Sequence, residues 1–226
     1  MHILEKILEY IFLPTCGICG NLGEGYLCEK CGKELEKHVI FEKEISHNSS
    51  NNENKFEKKT NNIEKMHIFK YEDIIRNFIL QYKFNDKSYL YKTFCEFIVK
   101  NKKLFDFIKS YDIIISVPIH EKRMKERGYN QSELIAKELA KKLGIKLYTD
   151  VLIKTKNNKV QSKLSRKERE INTKNVYKLI NSEKIYNKKI LIFDDVYTTG
   201  ATVNSCIGEL KKADVKRIGI LTLAKD

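Results

Sequence analysis

Apolar residues recur along this chain with two different periods, and the switches between them mark out its elements. Ile190 to Phe193 are four consecutive apolar residues, which predicts a strand buried on both faces. The stretch Asp112–Pro118, Asp-Ile-Ile-Ile-Ser-Val-Pro, reads the same way, and so does Ile218–Leu223. Helical spacing fills the gaps. Ile74, Ile75, Phe78, Ile79 and Tyr82 share one helix face, and Leu90, Phe94, Phe97 and Ile98 share another within Tyr89–Lys100. Asn130-Gln-Ser-Glu133 reads as a capping box opening a helix that carries Ile135, Leu139 and Leu143 and closes at Gly144. A strand-like Ile145–Ile153 follows, and Val203, Ile207 and Leu210 predict one more helix. Alternating strands and helices predict an α/β fold, a mostly parallel sheet with helices on both faces.

Three segments lack this clarity. Met1–Leu13 is apolar and helix-like, with Ile3, Ile7 and Ile11 spaced four apart. Residues 41–66 are rich in Asn, Lys, Glu and Ser, which predicts a mobile insertion between strands near Val39–Phe41 and Met66–Phe69. Residues 154–178 hold nine Lys/Arg against two Glu and predict a long basic loop. A second basic loop is expected at His120–Arg127, with Lys122, Arg123, Lys125 and Arg127.

Composition adds a size and a charge. At 226 residues the chain can bury one core and carry a small appendage. Its formal net charge of +13 is enough to attract polyanions such as nucleic acid, although abundant Lys, Asn and Ile also fit a compositional origin. No apolar run approaches the ~18 residues of a membrane helix. Glu5 and Glu9 interrupt the opening segment, and no small-residue cleavage site follows it, so a cytoplasmic location is expected.

The cysteines fall into two groups. Cys16-Gly-Ile-Cys19-Gly and Cys28-Glu-Lys-Cys31-Gly form two Cys-x-x-Cys pairs, each followed by glycine. Four thiolates suit tetrahedral Zn²⁺, with an iron–sulfur cluster as the remaining alternative. Such a closed site would fold its segment and perform no catalysis. The expected organisation is an N-terminal helix and zinc-ribbon module over 1–36, then the α/β domain over 37–226. Cys95 and Cys206 sit in helical patterns and read as buried small hydrophobes.

The chemistry concentrates at residues 190–202, Ile-Leu-Ile-Phe-Asp-Asp-Val-Tyr-Thr-Thr-Gly-Ala-Thr. Asp194 and Asp195 close the strand at its carboxyl end, where open α/β sheets bind ligands. The turn Thr198–Thr202 offers hydroxyls and N–H groups at a helix N-terminus, which favours phosphate, and Gly200 allows close approach. The acids can accept hydrogen bonds from sugar hydroxyls or hold Mg²⁺ water. Together these groups describe a ribose 5-phosphate site.

This stretch resembles the 5-phosphoribosyl-1-pyrophosphate (PRPP) motif of type I phosphoribosyltransferases. Tyr82-Lys-Phe84, Val117-Pro118 followed by Arg127-Gly-Tyr-Asn-Gln131, Gln161-x-x-Leu164 and Arg169-x-x-Asn172 extend the likeness. With the cysteine pairs, they make the chain similar to the ComF-type competence family of bacteria. The resemblance implies that Asp194 and Asp195 form the catalytic pair on the ribose hydroxyls. It places PRPP against Val196, Thr198, Thr199, Gly200, Ala201 and Thr202, with Mg²⁺. Lys125 or Arg127 would partner the diphosphate, and the basic stretch near 155–172 would close over it.

The family is associated with natural transformation, and two functions follow. One is a DNA-uptake accessory protein that binds PRPP, with its basic surface on single-stranded DNA or a helicase. The other is an active phosphoribosyltransferase with an unidentified acceptor. No segment shows an evident aromatic-plus-acid base pocket, which leans toward the first. Tyr129 and Tyr177 are candidate stacking residues for a single strand, with buried packing as the competing role.

Overall fold

The computed structural model describes residues 13–22, 25–47, 62–84, 87–156 and 176–226. The expected helix over 1–12, the middle of the 41–66 segment and most of the basic stretch, with Gln161, Leu164, Arg169 and Asn172, lie outside them. Six strands form the main sheet in the order β1-β2-β8-β7-β3-β4. They are β1 (Val39–His47), β2 (Asn62–Lys70), β3 (Ile113–Ser116), β4 (Lys146–Leu147), β7 (Lys189–Tyr197) and β8 (Arg217–Lys225). All neighbours run parallel except β1, which pairs antiparallel with β2. A separate hairpin joins β5 (Leu152–Lys154) to β6 (Tyr177–Leu179).

Strand alternation divides the core between two faces. Leu191 and Phe193 of β7 enter one apolar cluster with Ile114 and Leu221, while Ile190 and Ile192 enter another with Ile115 and Ile220. The first cluster is covered by α2 (Asp73–Phe84), α3 (Leu90–Lys100), α4 (Lys102–Lys109) and α6 (Gln131–Leu143). The second is covered by α7 (Ala201–Leu210) and the β5–β6 hairpin. Helix α6 starts as expected, with the Asn130 side chain accepting from Ser132 N, and it ends at Gly144 in the left-handed region.

Three expectations need correction, and one helix went unassigned. The predicted loop at His120–Arg127 is a helix, α5 (Glu121–Arg127); His120 Nδ1 accepts from Lys122 N at 3.1 Å and Gly128 closes it at φ 75°. Its residues favour helix, but it buries no side chain, so it has no apolar stripe to betray it. Ile145–Ile153 splits between the main sheet and the hairpin, because β4 pairs with β3 and β5 with β6. The 41–66 segment starts and ends inside paired strands, with Glu44 opposite Lys65 and Ile45 opposite Glu64. Helix α4, capped by Asn101 Oδ1 on Leu104 N, lacked any sequence assignment.

The cysteine segment packs directly on this framework. Its second pair lies at the start of α1 (Glu29–Glu36), with Cys28 as the N-cap and Cys31 in the first turn. Tyr26 N donates to Glu96 Oε2 at 2.8 Å, and Thr93 Oγ1 donates to Tyr26 O at 2.9 Å, fixing the segment to α3. Cys16, Leu27 and Leu35 belong to the same apolar cluster as Phe69 and Phe97. Among the described residues, no helix is long and apolar enough to cross a membrane.

Candidate functional site

Strand β7 runs past its apolar stretch, because Asp194, Val196 and Tyr197 still pair with Thr222, Ala224 and Lys225 of β8. The acid pair therefore sits within the strand's carboxyl end rather than in a loop. Thr198 and Thr199 follow, exposed, and Gly200 starts α7 at φ 74° and ψ 0°. Gly200 itself offers no capping side chain, and Thr199 Oγ1 approaches the first turn, 3.5 Å from Ala201 N, at a positive helix end. A Cβ on residue 200 would collide with the Tyr197 hydroxyl, which lies over the Gly200 backbone. Glycine suits both the positive φ and the close approach of Tyr197, whose ring would have to shift for any side chain at 200.

Tyr197 is itself held from β2. Lys65 Nζ donates to its hydroxyl at 3.3 Å, and the His67 ring stands 4.6 Å from its ring. His67 Nδ1 lies 2.8 Å from Thr222 Oγ1, while its Nε2 has no partner. Burial pulls the His67 imidazole down to about 4, so it is neutral at pH 7. Lys65 pairs with Glu44, which also takes Lys225 at 2.6 Å.

The two aspartates differ in their surroundings. Asp194 is buried, and its Oδ1 accepts from Ser132 Oγ at 3.0 Å and Asp195 N at 2.9 Å. Burial, then the neighbouring Asp195 charge, push its carboxyl up to about 7 against the pull of Lys83 and these hydrogen bonds. Asp195 Oδ2 is paired with Lys83 Nζ at 2.9 Å. Its charge also reaches Arg127, whose guanidinium is held below its ordinary pKa by burial and by Arg123. Asp194 acts instead on Lys154, a half-buried lysine lowered by burial and by Arg123, with its ammonium 5.3 Å from the Tyr177 ring. Tyr177 in turn contacts Thr202 on α7.

The sequence motifs converge here. Arg127 Nη1 donates to Gln131 Oε1 at 3.2 Å, and its guanidinium stands 4.7 Å from the Phe84 ring. Tyr82 donates to Gln131 O at 2.8 Å, Tyr129 donates to Tyr82 O, and Asn130 Nδ2 donates to Val117 O at 3.0 Å. Tyr-Lys-Phe and Arg-Gly-Tyr-Asn-Gln thus lock to each other and present Lys83 and Arg127 to the acids. Lys125 is exposed on α5. Val196 packs against the first core cluster, and Ala201 and Thr202 begin α7. Lys83, Ser132, Arg123 and Lys154 were missed as site residues. Lys83 and Ser132 lay inside motifs already visible, whereas Arg123 and Lys154 were read only as charges of the two basic stretches.

The four N-terminal sulfurs lie within 4.8 Å of one another, with Cys19 and Cys28 at 3.7 Å. Four thiolates bound ~2.3 Å from one ion would stand about 3.8 Å apart, so the cluster fits a metal such as zinc. Burial raises the Cys16 thiol, yet N–H groups of Cys28, Cys19 and Ile18 outweigh it and bring it to about 7. Burial and the three neighbouring sulfurs push Cys31 up. Such crowding opposes full ionisation without a cation. Gly20 adopts φ 78° to turn the first pair, whereas Gly32 lies inside α1.

A parallel sheet, paired acids at its central strand and a glycine-opened helix beyond them define a type I phosphoribosyltransferase fold. The phosphoribosyl transferase domain family matches residues 130–226. Competence protein F of Haemophilus influenzae is 26% identical over 216 residues, covering 94% of this chain and 85% of that protein. Competence protein ComFC of Streptococcus pneumoniae is 33% identical over 158 residues, covering 70% of this chain and 66% of that protein. The DNA utilization protein YhgH of Escherichia coli O6:H1 is 36% identical over 92 residues, covering 41% of this chain and 40% of that protein. The chain belongs to the ComF-type competence proteins.

Proposed function

We propose that this protein binds PRPP with Mg²⁺ and acts in the cytoplasm on incoming single-stranded DNA during natural transformation. One observation carries the ligand reading: β7 delivers Asp194 and Asp195 next to a helix start opened by Gly200 in the left-handed region. The acids receive the ribose hydroxyls, and the N–H groups and hydroxyls of Thr198–Thr202 receive the 5-phosphate. Arg127, Arg123 and Lys154 supply positive charge for the diphosphate. Mg²⁺, held through Asp194, Asp195 and the diphosphate, would neutralise charge on a departing diphosphate. Zinc is assigned to Cys16, Cys19, Cys28 and Cys31 in a structural role.

The DNA part rests on the competence relatives and on the net charge of +13. A second reading, catalysis of phosphoribosyl transfer, is favoured by the Asp194 carboxyl at about 7, within range of proton transfer at neutral pH. The deciding experiment compares transformation in a deletion strain with a strain carrying Asp194→Asn and Asp195→Asn, alongside PRPP titration of both proteins. Equal loss of transformation with lost PRPP binding supports a ligand-dependent uptake role. Normal transformation by the double variant would separate the site from DNA uptake and sink the proposal. Diphosphate release from PRPP on adding nucleobases would establish the transferase reading.

A further inference from the structure

We infer that Phe84 is a stacking platform for a nucleobase at the rim of the acid pair; its orientation relative to the sugar rests on the ribose-phosphate reading above. Phe84 ends α2 with 62% of its surface exposed, directly after Lys83, whose ammonium holds Asp195 at 2.9 Å. The Arg127 guanidinium lies 4.7 Å from the Phe84 ring and is within the electrostatic reach of Asp195. Gln131, which anchors Arg127, is buried and keeps an amide nitrogen, Nε2, without a partner. Exposed apolar side chains are ordinary in themselves. What marks Phe84 is that it adjoins Lys83 in sequence and Arg127 in space.

The ligand chemistry follows from those neighbours. In a ribose gripped through its 2- and 3-hydroxyls, C1 is one bond from C2, so a base at C1 lies beside the acids. A phenyl ring stacks any base because every base has a π-face, and the guanidinium adds a cation at that face or donors to its edge. Tyr129 and Tyr177 do not compete for this role. Tyr177 is 4% exposed, and Tyr129 packs on Tyr82. Base and backbone are thus separated in the site: aromatic contact at Phe84, phosphate contact at α7.

The nucleobase can arrive as a free base or within a single strand, and the test distinguishes them. Full-length, metal-loaded wild type, Phe84→Ala and Phe84→Tyr are titrated with a thymidine single strand and with an abasic strand of equal length. They are also titrated with adenine, guanine and uracil in saturating PRPP and Mg²⁺. Phe84→Ala weakens base binding about tenfold beyond any change in its PRPP affinity, as expected for one lost stack, and Phe84→Tyr restores it. A loss on the thymidine strand but not the abasic one identifies DNA bases; a loss on free bases identifies a small acceptor. Wild-type affinity of Phe84→Ala for every probe overturns the assignment. Failure of wild type to bind PRPP alone strikes the ribose-phosphate reading. The strand titration without PRPP still decides the role of Phe84.

Discussion

Lys83, at the end of α2, holds Asp195 of β7 at 2.9 Å, and so ties a helix on one sheet face to the central strand's acid pair. Asp194, its neighbour, has no such cation bonded to it and takes hydroxyl and amide hydrogen bonds instead. One acid is therefore paired with a cation, while burial pushes the other's carboxyl up to about 7.

That difference predicts an unusual pH dependence. The folded Asp194 carboxyl is raised from 3.8 to about 7, so its stabilising contribution is complete below pH ~4 and is lost as pH rises through about 7. Asp194→Asn keeps an acceptor for Ser132 Oγ and Asp195 N but carries no charge. It should raise the Tm by several degrees at pH 8 and by little at pH 4, measured by thermal melts across that range. An equal gain at both values would contradict the burial argument.

Gly200→Ala should destabilise the protein by about 1–3 kcal/mol, from the left-handed conformation and the collision with Tyr197. Tyr197→Ala in the same chain should recover part of that loss, since it removes the obstructing ring. Urea unfolding of both single variants and the double variant measures the coupling. Strict additivity would mean that Tyr197 does not press on the turn.

Lys154→Met should weaken PRPP more than ribose 5-phosphate, by about tenfold, if its ammonium serves the diphosphate. Stability should hold or increase, because the variant removes a charge already disfavoured by burial. Parallel calorimetric titrations with the two ligands decide it, and equal losses would place Lys154 at the 5-phosphate.

Metal analysis should find about one zinc per chain, bound by the four clustered sulfurs. Cys28→Ser, or chelation, should loosen the Tyr26 contacts to Glu96 and Thr93 and lower the Tm. Hydrogen exchange should locate the loosening in α3 and in the cysteine segment. Protein purified without chelator that carries iron or no metal would refute the zinc assignment.

Local signals explain what the sequence made legible. Strand β7 announces itself through four apolar residues, and α6 through Asn130 and Gly144 at its ends. The phosphate turn is contiguous, so its chemistry can be read in order. Partners contributed by distant segments could not be read that way. Lys83 and Lys154 reach the acids only because α2 and the β5–β6 hairpin pack on opposite sheet faces. The extension of strand β1 past Phe41 hid for a related reason: its polar residues pair with β2 at the sheet edge, where pairing needs no apolar run. Helix α5 lacks a buried stripe altogether.

The strand order has a consequence for how the protein is made. β2 and β3 flank a gap that β8 and β7 fill, although both filling strands follow them in the chain. Until they arrive, the nascent chain presents two unpaired sheet edges, one beside His67 and one beside Ser116. Synthesis halted before β7 would leave those edges open to association with other chains. Asp194 and Asp195 thus enter with the first of the two filling strands, and β8 must still follow to join that strand to β2.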